Sequence, residues 1–329
     1  MEQSAVIKSK VDISRNLNGY SFPHKLSSQE AEIIIQKVKN VFSDSKYDFT
    51  LHKINELSQS ELDLLEEREL MDGEFLINAN GALLFNSDKT ICILINGLDH
   101  IKIQVIGYND IKGLYKIANE IDDTLESHLE YAFDKDLGYL TTCPVNVGTG
   151  LKVTNTVHIP SIEKLKQVDD YYKIAHKIGV NFKGVYGKTK SILGSLYKIS
   201  NTIMIGRSEE NIIQSVESIS NDLSKREYES REILKNVHKI DLEDEIFRSL
   251  AILSSARVIT NSELMKCLSN VKLGIEMGYI DDVNLEKVIN FMTGKQPYLK
   301  IISAYDEEDK IERASYIRRE FSLANRNNK

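Results

Sequence analysis

Cysteine is scarce in this chain: its 329 residues hold only Cys92, Cys143 and Cys267, far apart and without a CxxC pair. That spacing suggests neither a disulfide framework nor a zinc cluster, so no metal site is expected, and at least one cysteine is a candidate for chemistry as a free thiol. No apolar run approaches the length that crosses a bilayer, so no membrane partner is expected. The opening MEQSAVIKSKVD lacks the basic flank and apolar core of a secretory signal, and the expected location is cytoplasmic. Positive charge is not in excess either. With 49 acidic against 42 basic residues the net charge is −7, which disfavours a general nucleic-acid binder and leaves room only for a local basic patch. No solenoid repeat or low-complexity tract appears, and the polar NRNNK at the end reads as a frayed tail.

What is there is globular: 41% hydrophobic and 28% charged residues, enough for one large domain and a smaller one. Residues 27–43 open on serine, carry Glu30 in the first turn and space their apolar residues helically. From Glu74 to Ile106 the runs GALLFN, TICILI and DHIKIQVIG, separated by Asn86-Ser87-Asp88 and Asn96-Gly97, predict antiparallel sheet. IKGLYKIANEIDDTLESHL predicts a long amphipathic helix. It is followed by a Gly- and Thr-rich segment at 138–150, a strand near 152–159, a helix near 161–178, a strand-like LYKISNTIMIG and a helical run from Glu209. From about Leu223 the spacing is helical throughout, with Asn261 placed to cap and Gly278 placed to stop a helix. The expected class is α+β, a helix-flanked antiparallel sheet over residues 1–222 and an all-α part over 223–329.

FKGVYGKTKS, residues 182–191, carries a GKT that invites a phosphate-loop reading. A P-loop needs a glycine five residues before the GK pair, so that backbone N–H groups curl around the phosphates, and Phe182 stands there instead.

The segments SRNLNGYSFP, NGLDHIKIQ, DKDLGYLTTCPVNVGTGLK, FKGVYGKT with LYKISN, SSARVITNSE, QPYLK and ERASYIRREF follow one order along the chain. Together they resemble the protein-arginine kinases of the ATP:guanido phosphotransferase family, which also includes creatine and arginine kinases. The resemblance covers nearly the whole chain, and CPxNxGTG preceded by GYLT is its most specific part. It implies a guanido-kinase catalytic domain, an all-α C-terminal domain that pairs with a second copy and binds phosphoarginine, and ATP with Mg2+ as cofactor. It also explains the GKT: the family has an Arg-Gly-x-x-Gly-Glu loop here, in which Lys183 and Lys188 replace the arginine and the glutamate.

The family transfers a γ-phosphoryl group in line to a guanidinium nitrogen. Such transfer depends on positioning and on cations that stabilise phosphate oxygens. Arginine does this with a bidentate fork that never loses its charge, whereas lysine is a mobile point charge. By resemblance the first phosphate motif falls on Lys10, Asp12 and Arg15, and the other phosphate positions on Lys102, following His100, and on Lys152; Asn146 belongs to the CPxNxGTG motif. Asp12 is the sharpest departure, since a carboxylate beside a polyphosphate opposes binding by roughly 1 kcal/mol or more. The catalytic glutamate position reads Leu98 within Asn96-Gly97-Leu98-Asp99-His100, so the guanidinium loses its proton acceptor. Neighbouring strand residues point to opposite faces, so Asp99 does not simply take over. Cys143 stands where the family's thiolate lies against the substrate guanidinium.

Each of these residues has a plainer reading. Cys143 fits a small buried thiol, His100 and His158 fit hydrogen-bonded structural histidines, the lysines fit solvated surface positions, and Gly148-Thr149-Gly150 fits a turn. In DEEDKIERASYIRREF the family's phosphoarginine arrangement falls on Asp309, Lys310 and Arg313, with exposed helix charges as the alternative. The leading expectation is a kinase homologue that keeps the fold and has lost, or nearly lost, phosphoryl transfer. It would act as a binding or regulatory module with protein partners that the resemblance suggests: an active arginine kinase, a heat-shock repressor or a Clp-type unfoldase. The alternatives are a working protein-arginine kinase whose base is Asp99 or another carboxylate, and a phosphoarginine reader.

Overall fold

The computed structural model describes residues 4–43, 46–71, 79–185, 192–295 and 307–322. The QPYLK segment and the NRNNK tail lie outside them. The strands are β1 (Val6–Arg15), β2 (Thr50–Lys53), β3 (Ala82–Phe85), β4 (Ile91–Ile95), β5 (Ile101–Gly107), a short hairpin of β6 (Phe133–Asp134) and β7 (Gly138–Tyr139), β8 (Leu151–His158), β9 (Val180–Gly184) and β10 (Leu196–Asn201). Among the described residues, eight of them form one antiparallel sheet in the order β2-β3-β4-β5-β1-β8-β10-β9.

Strand β1 runs through the middle and alternates with period two. Val11 and Ile13 enter a core shared with Ile103 and Val105 of β5 and Val153 of β8. Helices α1 (Ser28–Val41) and α3 (Ile111–Glu126) cover that face. They bury Ile34, Ile35 and Val38 from α1 and Ala118, Ile121 and Leu125 from α3. As the Ser-x-x-Glu pattern predicts, Ser27 and Glu30 close a capping box at the start of α1. The opposite face is apolar over β4. There α2 (Gln59–Glu67) and the residues after it set Leu65, Leu70 and Met71 against Cys92 and Leu94 of β4.

The helix expected near 161–178 is two helices, α4 (Pro160–Lys164) and α5 (Val168–Lys177), separated at Lys166, which takes the left-handed conformation. Glu227 accepts the N–H groups of Ser161 and Ile162 and so fixes the start of the first piece. Strand β10 ends at Asn201, earlier than LYKISNTIMIG suggests. The Asn201 side chain takes over the pairing, accepting from Val153 N–H at 2.8 Å and donating to the Leu151 carbonyl at 3.0 Å.

Helix α6 (Glu209–Val237) is 29 residues long. Its Leu223 belongs to the sheet core and its Leu234 to a second core, built with α7 (Lys239–Ser255), α8 (Asn261–Glu276), α9 (Leu285–Met292) and α10 (Glu307–Glu320). A boundary at 222/223 therefore falls inside a continuous helix. Thr260, rather than Asn261, caps α8, accepting from Glu263 N–H at 3.2 Å. Gly278 follows the end of that helix in the left-handed conformation, as a stop should. The two cores meet across buried polar contacts: His158 with Ser269 at 2.7 Å, and Arg231 with both Glu227 and Glu276.

Candidate functional site: a lysine-lined sheet face

On the sheet face turned away from α1 and α3, register places side chains in rows across the strands. One row runs Gln104, Asp12 and Lys152 from β5 through β1 to β8. The next contains Lys10, Thr154, Ser200 and Asn181, and the one beyond it Lys8, Thr156, Lys198 and Lys183. Lys102 stands on the same face of β5, opposite Ser14. The sequence-derived candidates Lys10, Asp12, Lys102, Lys152 and Lys183 therefore share one surface. Burial and the positive charge of Lys102, Lys183 and Lys10 lower the pKa of Lys152, against the pull of Asp12. Asp12 is only 5% exposed and lies 3.4 Å from Lys10 Nζ, so the central carboxylate takes up part of the cleft's charge. Lys188 lies outside the described residues.

Arg15 and His100 stand elsewhere, which corrects their assignment as phosphate ligands. Arg15 is 2% exposed and has the opposite strand parity from Asp12. Its guanidinium reaches Asp122 on α3 at 2.6 Å, donates to the carbonyls of Ser14 and Thr149, and packs 3.5 Å from the Tyr139 ring centroid. Burial raises the pKa of Asp122, against the pull of Arg15. His100 Nδ1 accepts from Leu17 N–H at 3.0 Å, and Nε2 donates to the Ser21 carbonyl at 2.9 Å. Both ring nitrogens are thus occupied by backbone, and burial lowers the pKa of the ring.

Leu98 sits at the tip of the β4–β5 hairpin, 39% exposed. Beside it Asp99 is buried, and its Oδ1 accepts from the Asn16 amide and from Thr142 N–H, each at 2.7 Å. This carboxylate ties the hairpin to the loop of Cys143, which is half-buried and starts a short turn. The carbonyl of Cys143 accepts from Thr141 Oγ1 and from Asn146 N–H, each at 2.9 Å. Gly148 has φ +119°, and a Cβ there would lie 2.8 Å from the Ile205 backbone, so the glycine spacing of this loop is a packing requirement.

Three further residues, which the motifs do not point to, belong to this face. Lys8 and Lys198 line the outer row, and Glu69, just past α2, sits between them at 3.4 Å and 2.6 Å. Strand alternation from Lys10 is enough to find Lys8; nothing local in the sequence links Glu69 to the sheet.

In the helical part Arg313 is buried and donates to the Ile259 carbonyl at 2.9 Å, a packing role where a phosphoarginine contact was expected. Burial lowers its pKa, against the pull of Asp309 and Glu67. Lys310 pairs with Glu307 at 2.5 Å.

An antiparallel sheet with one face helix-covered and the other lysine-lined, flanked by a Cys-Pro loop, defines a guanido-kinase catalytic fold. The family profile described as "ATP:guanido phosphotransferase, C-terminal catalytic domain" matches residues 31–230, and that described as "Protein-arginine kinase McsB C-terminal domain" matches residues 239–329. The protein-arginine kinase of Clostridium kluyveri is 36% identical over 97% of this chain and 95% of its own length. That of Bacillus subtilis is 32% identical over 98% and 91%. Lombricine kinase shares the fold with a TM-score of 0.59 at 20% identity, over 68% of this chain and 66% of its own. The duplicated taurocyamine kinase from Schistosoma mansoni does so with a TM-score of 0.62 at 18% identity, over 84% and 47%. The chain belongs to the ATP:guanido phosphotransferase family, as a homologue of the protein-arginine kinases.

Proposed function

We propose that this homologue is catalytically impaired and acts as an anion-binding regulatory module in protein quality control. The observation that carries the reading is the Lys10–Asp12 ion pair in the middle of the cleft floor. A phosphate arriving there meets a buried carboxylate, and the nearest cation is already shared. Leu98 at the catalytic glutamate position supports the same conclusion, as does Asp99, whose carboxylate is committed to Asn16 and Thr142.

Membership of the family implies ATP, which supplies a γ-phosphoryl group when bound. The charge of Lys10, Lys102, Lys152 and Lys183 suits its phosphates. The carboxylates facing the same surface, Asp12 and Glu69, each lie within ion-pair distance of lysines, which competes with any role as ligands to Mg2+. The test is incubation with ATP, Mg2+ and an arginine-rich protein, followed by detection of acid-labile phosphate on arginine. Little or none is expected, and robust turnover overturns the reading.

A second reading, an active protein-arginine kinase, has the names of its relatives in its favour. The same assay separates the two.

A further inference from the structure

Helix α2 ends in a turn whose C-terminal position, Glu69, has φ +60°. Its N–H donates to the Glu66 carbonyl, and Leu70 N–H donates to that of Leu65, the bonding that closes a helix with a left-handed residue. Glycine usually occupies such a position, and a residue with a Cβ costs of order 1 kcal/mol there. The carboxylate that this residue brings is aimed at the outer lysine row: Oε2 lies 2.6 Å from Lys198 Nζ, and Oε1 3.4 Å from Lys8 Nζ. The backbone adds two more acceptors. Lys8 donates to the Arg68 carbonyl at 3.0 Å and Lys10 to the Glu69 carbonyl at 2.9 Å.

Three ammonium groups from two strands thus converge on oxygens of one short segment. The segment is also held from the helical side, where Arg68 donates to the Lys295 carbonyl and Gly294 lies so close to the Glu67 carbonyl that a Cβ would sit 2.4 Å from it. Lys10 joins this cluster to the cleft floor, since it also faces Asp12. The Coulomb balance favours an anion strongly enough that Glu69, despite its burial, is held at a pKa of about 2 by Lys8, Lys198 and Lys10.

We infer that Lys8 and Lys198, with the charge of Lys10 beside them, form an oxyanion site that Glu69 fills from within the chain, so that a phosphate-bearing ligand reaches Lys8 and Lys198 only by displacing its carboxylate. This rests on the reading of the lysine face as an anion cleft and adds its regulation: a built-in competitor carried on the end of α2.

The test is calorimetric titration of the full chain with inorganic pyrophosphate, comparing the native protein with Glu69→Gln and Glu69→Gly. The glycine variant guards against misfolding, because glycine adopts this backbone conformation without strain. Both variants should bind at least about tenfold more tightly, the scale expected when a charge a few ångströms from the ligand is removed. If neither binds more tightly than the native protein, the inference fails. Lys152→Met, made in the native and Glu69→Gly backgrounds, separates the two readings. If it weakens binding while Glu69 changes gain nothing, the anion cleft stands and the internal competitor falls. If Glu69 changes gain affinity that is indifferent to Lys152, the outer lysine site stands and the wider cleft falls.

Discussion

Asp99 Oδ1 accepts the backbone N–H of Thr142 at 2.7 Å, one residue before Cys143. The same oxygen accepts from the Asn16 amide, and Asn16 Oδ1 in turn accepts from His100 N–H, so one buried knot fixes the hairpin of Leu98 against the Cys143 loop. Removing the carboxylate leaves two buried donors without their acceptor. Asp99→Ala should therefore lose about 2–3 kcal/mol in urea unfolding. A loss under about 0.5 kcal/mol would leave Asp99 available for chemistry and weaken the impaired-kinase reading.

Arg15 and Asp122 make a buried ion pair between β1 and α3. Arg15→Met strands Asp122 in the core and should cost about 3–5 kcal/mol, with pyrophosphate affinity at a permissive temperature unchanged. A stable variant with weakened anion binding would return Arg15 to the phosphate site.

At the centre of the cleft, Asp12→Asn removes the charge and keeps the shape. Anion affinity by calorimetry should rise about tenfold, since a buried like charge within a few ångströms is lost. Pairing Asp12→Arg with Leu98→Glu goes further and should raise ATP affinity in thermal-shift assays or restore measurable arginine phosphorylation. An inert double variant would place the defect at the Lys183 and Lys188 substitutions.

The pH response has two opposed parts. Burial pushes Lys8 down to about 8, against the pull of Glu69 and with a further push from Lys10 and Lys198. Above that pH the folded protein loses this charge, and pyrophosphate affinity should fall between pH 7 and about 9. Over the window from about 8 to the ordinary lysine value of 10.5, the unfolded chain binds more protons than the folded one, so the Lys8 contribution to stability rises with pH. Glu69 acts at the acid end. Its folded value of about 2 lies below the ordinary 4.5, so its contribution is full above 4.5 and is lost as pH falls through about 2. Affinity and unfolding measured across both windows check the signs; affinity that rises through pH 8 would remove Lys8 from the anion site.

Much of this was readable from local pattern. The β3–β4–β5 hairpins and the Ser27–Glu30 cap follow from spacing, whereas the departures at Asp12 and Leu98 are what the family resemblance implies. Motif position alone sets Arg15 with Lys10 and Asp12, but strand parity does not: Lys10 and Asp12 share a face, and the odd-numbered Arg15 cannot join them on a regular strand. The histidine role turned on Leu17 and Ser21, whose backbone groups reach His100 only through the fold. Glu69 is invisible for the same reason, being brought to Lys198, far along the chain, by packing of α2 on the sheet. The start of α4 depends on Glu227, another distant carboxylate, which accepts from Ser161 and Ile162 N–H.

Helix α6, about 44 Å from end to end at 1.5 Å per residue, is a common wall of two rooms. Severing the chain near its middle would strip a side from each, so neither fragment should keep a native interior. Heating the intact protein should accordingly yield one calorimetric peak, with sheet and bundle melting together.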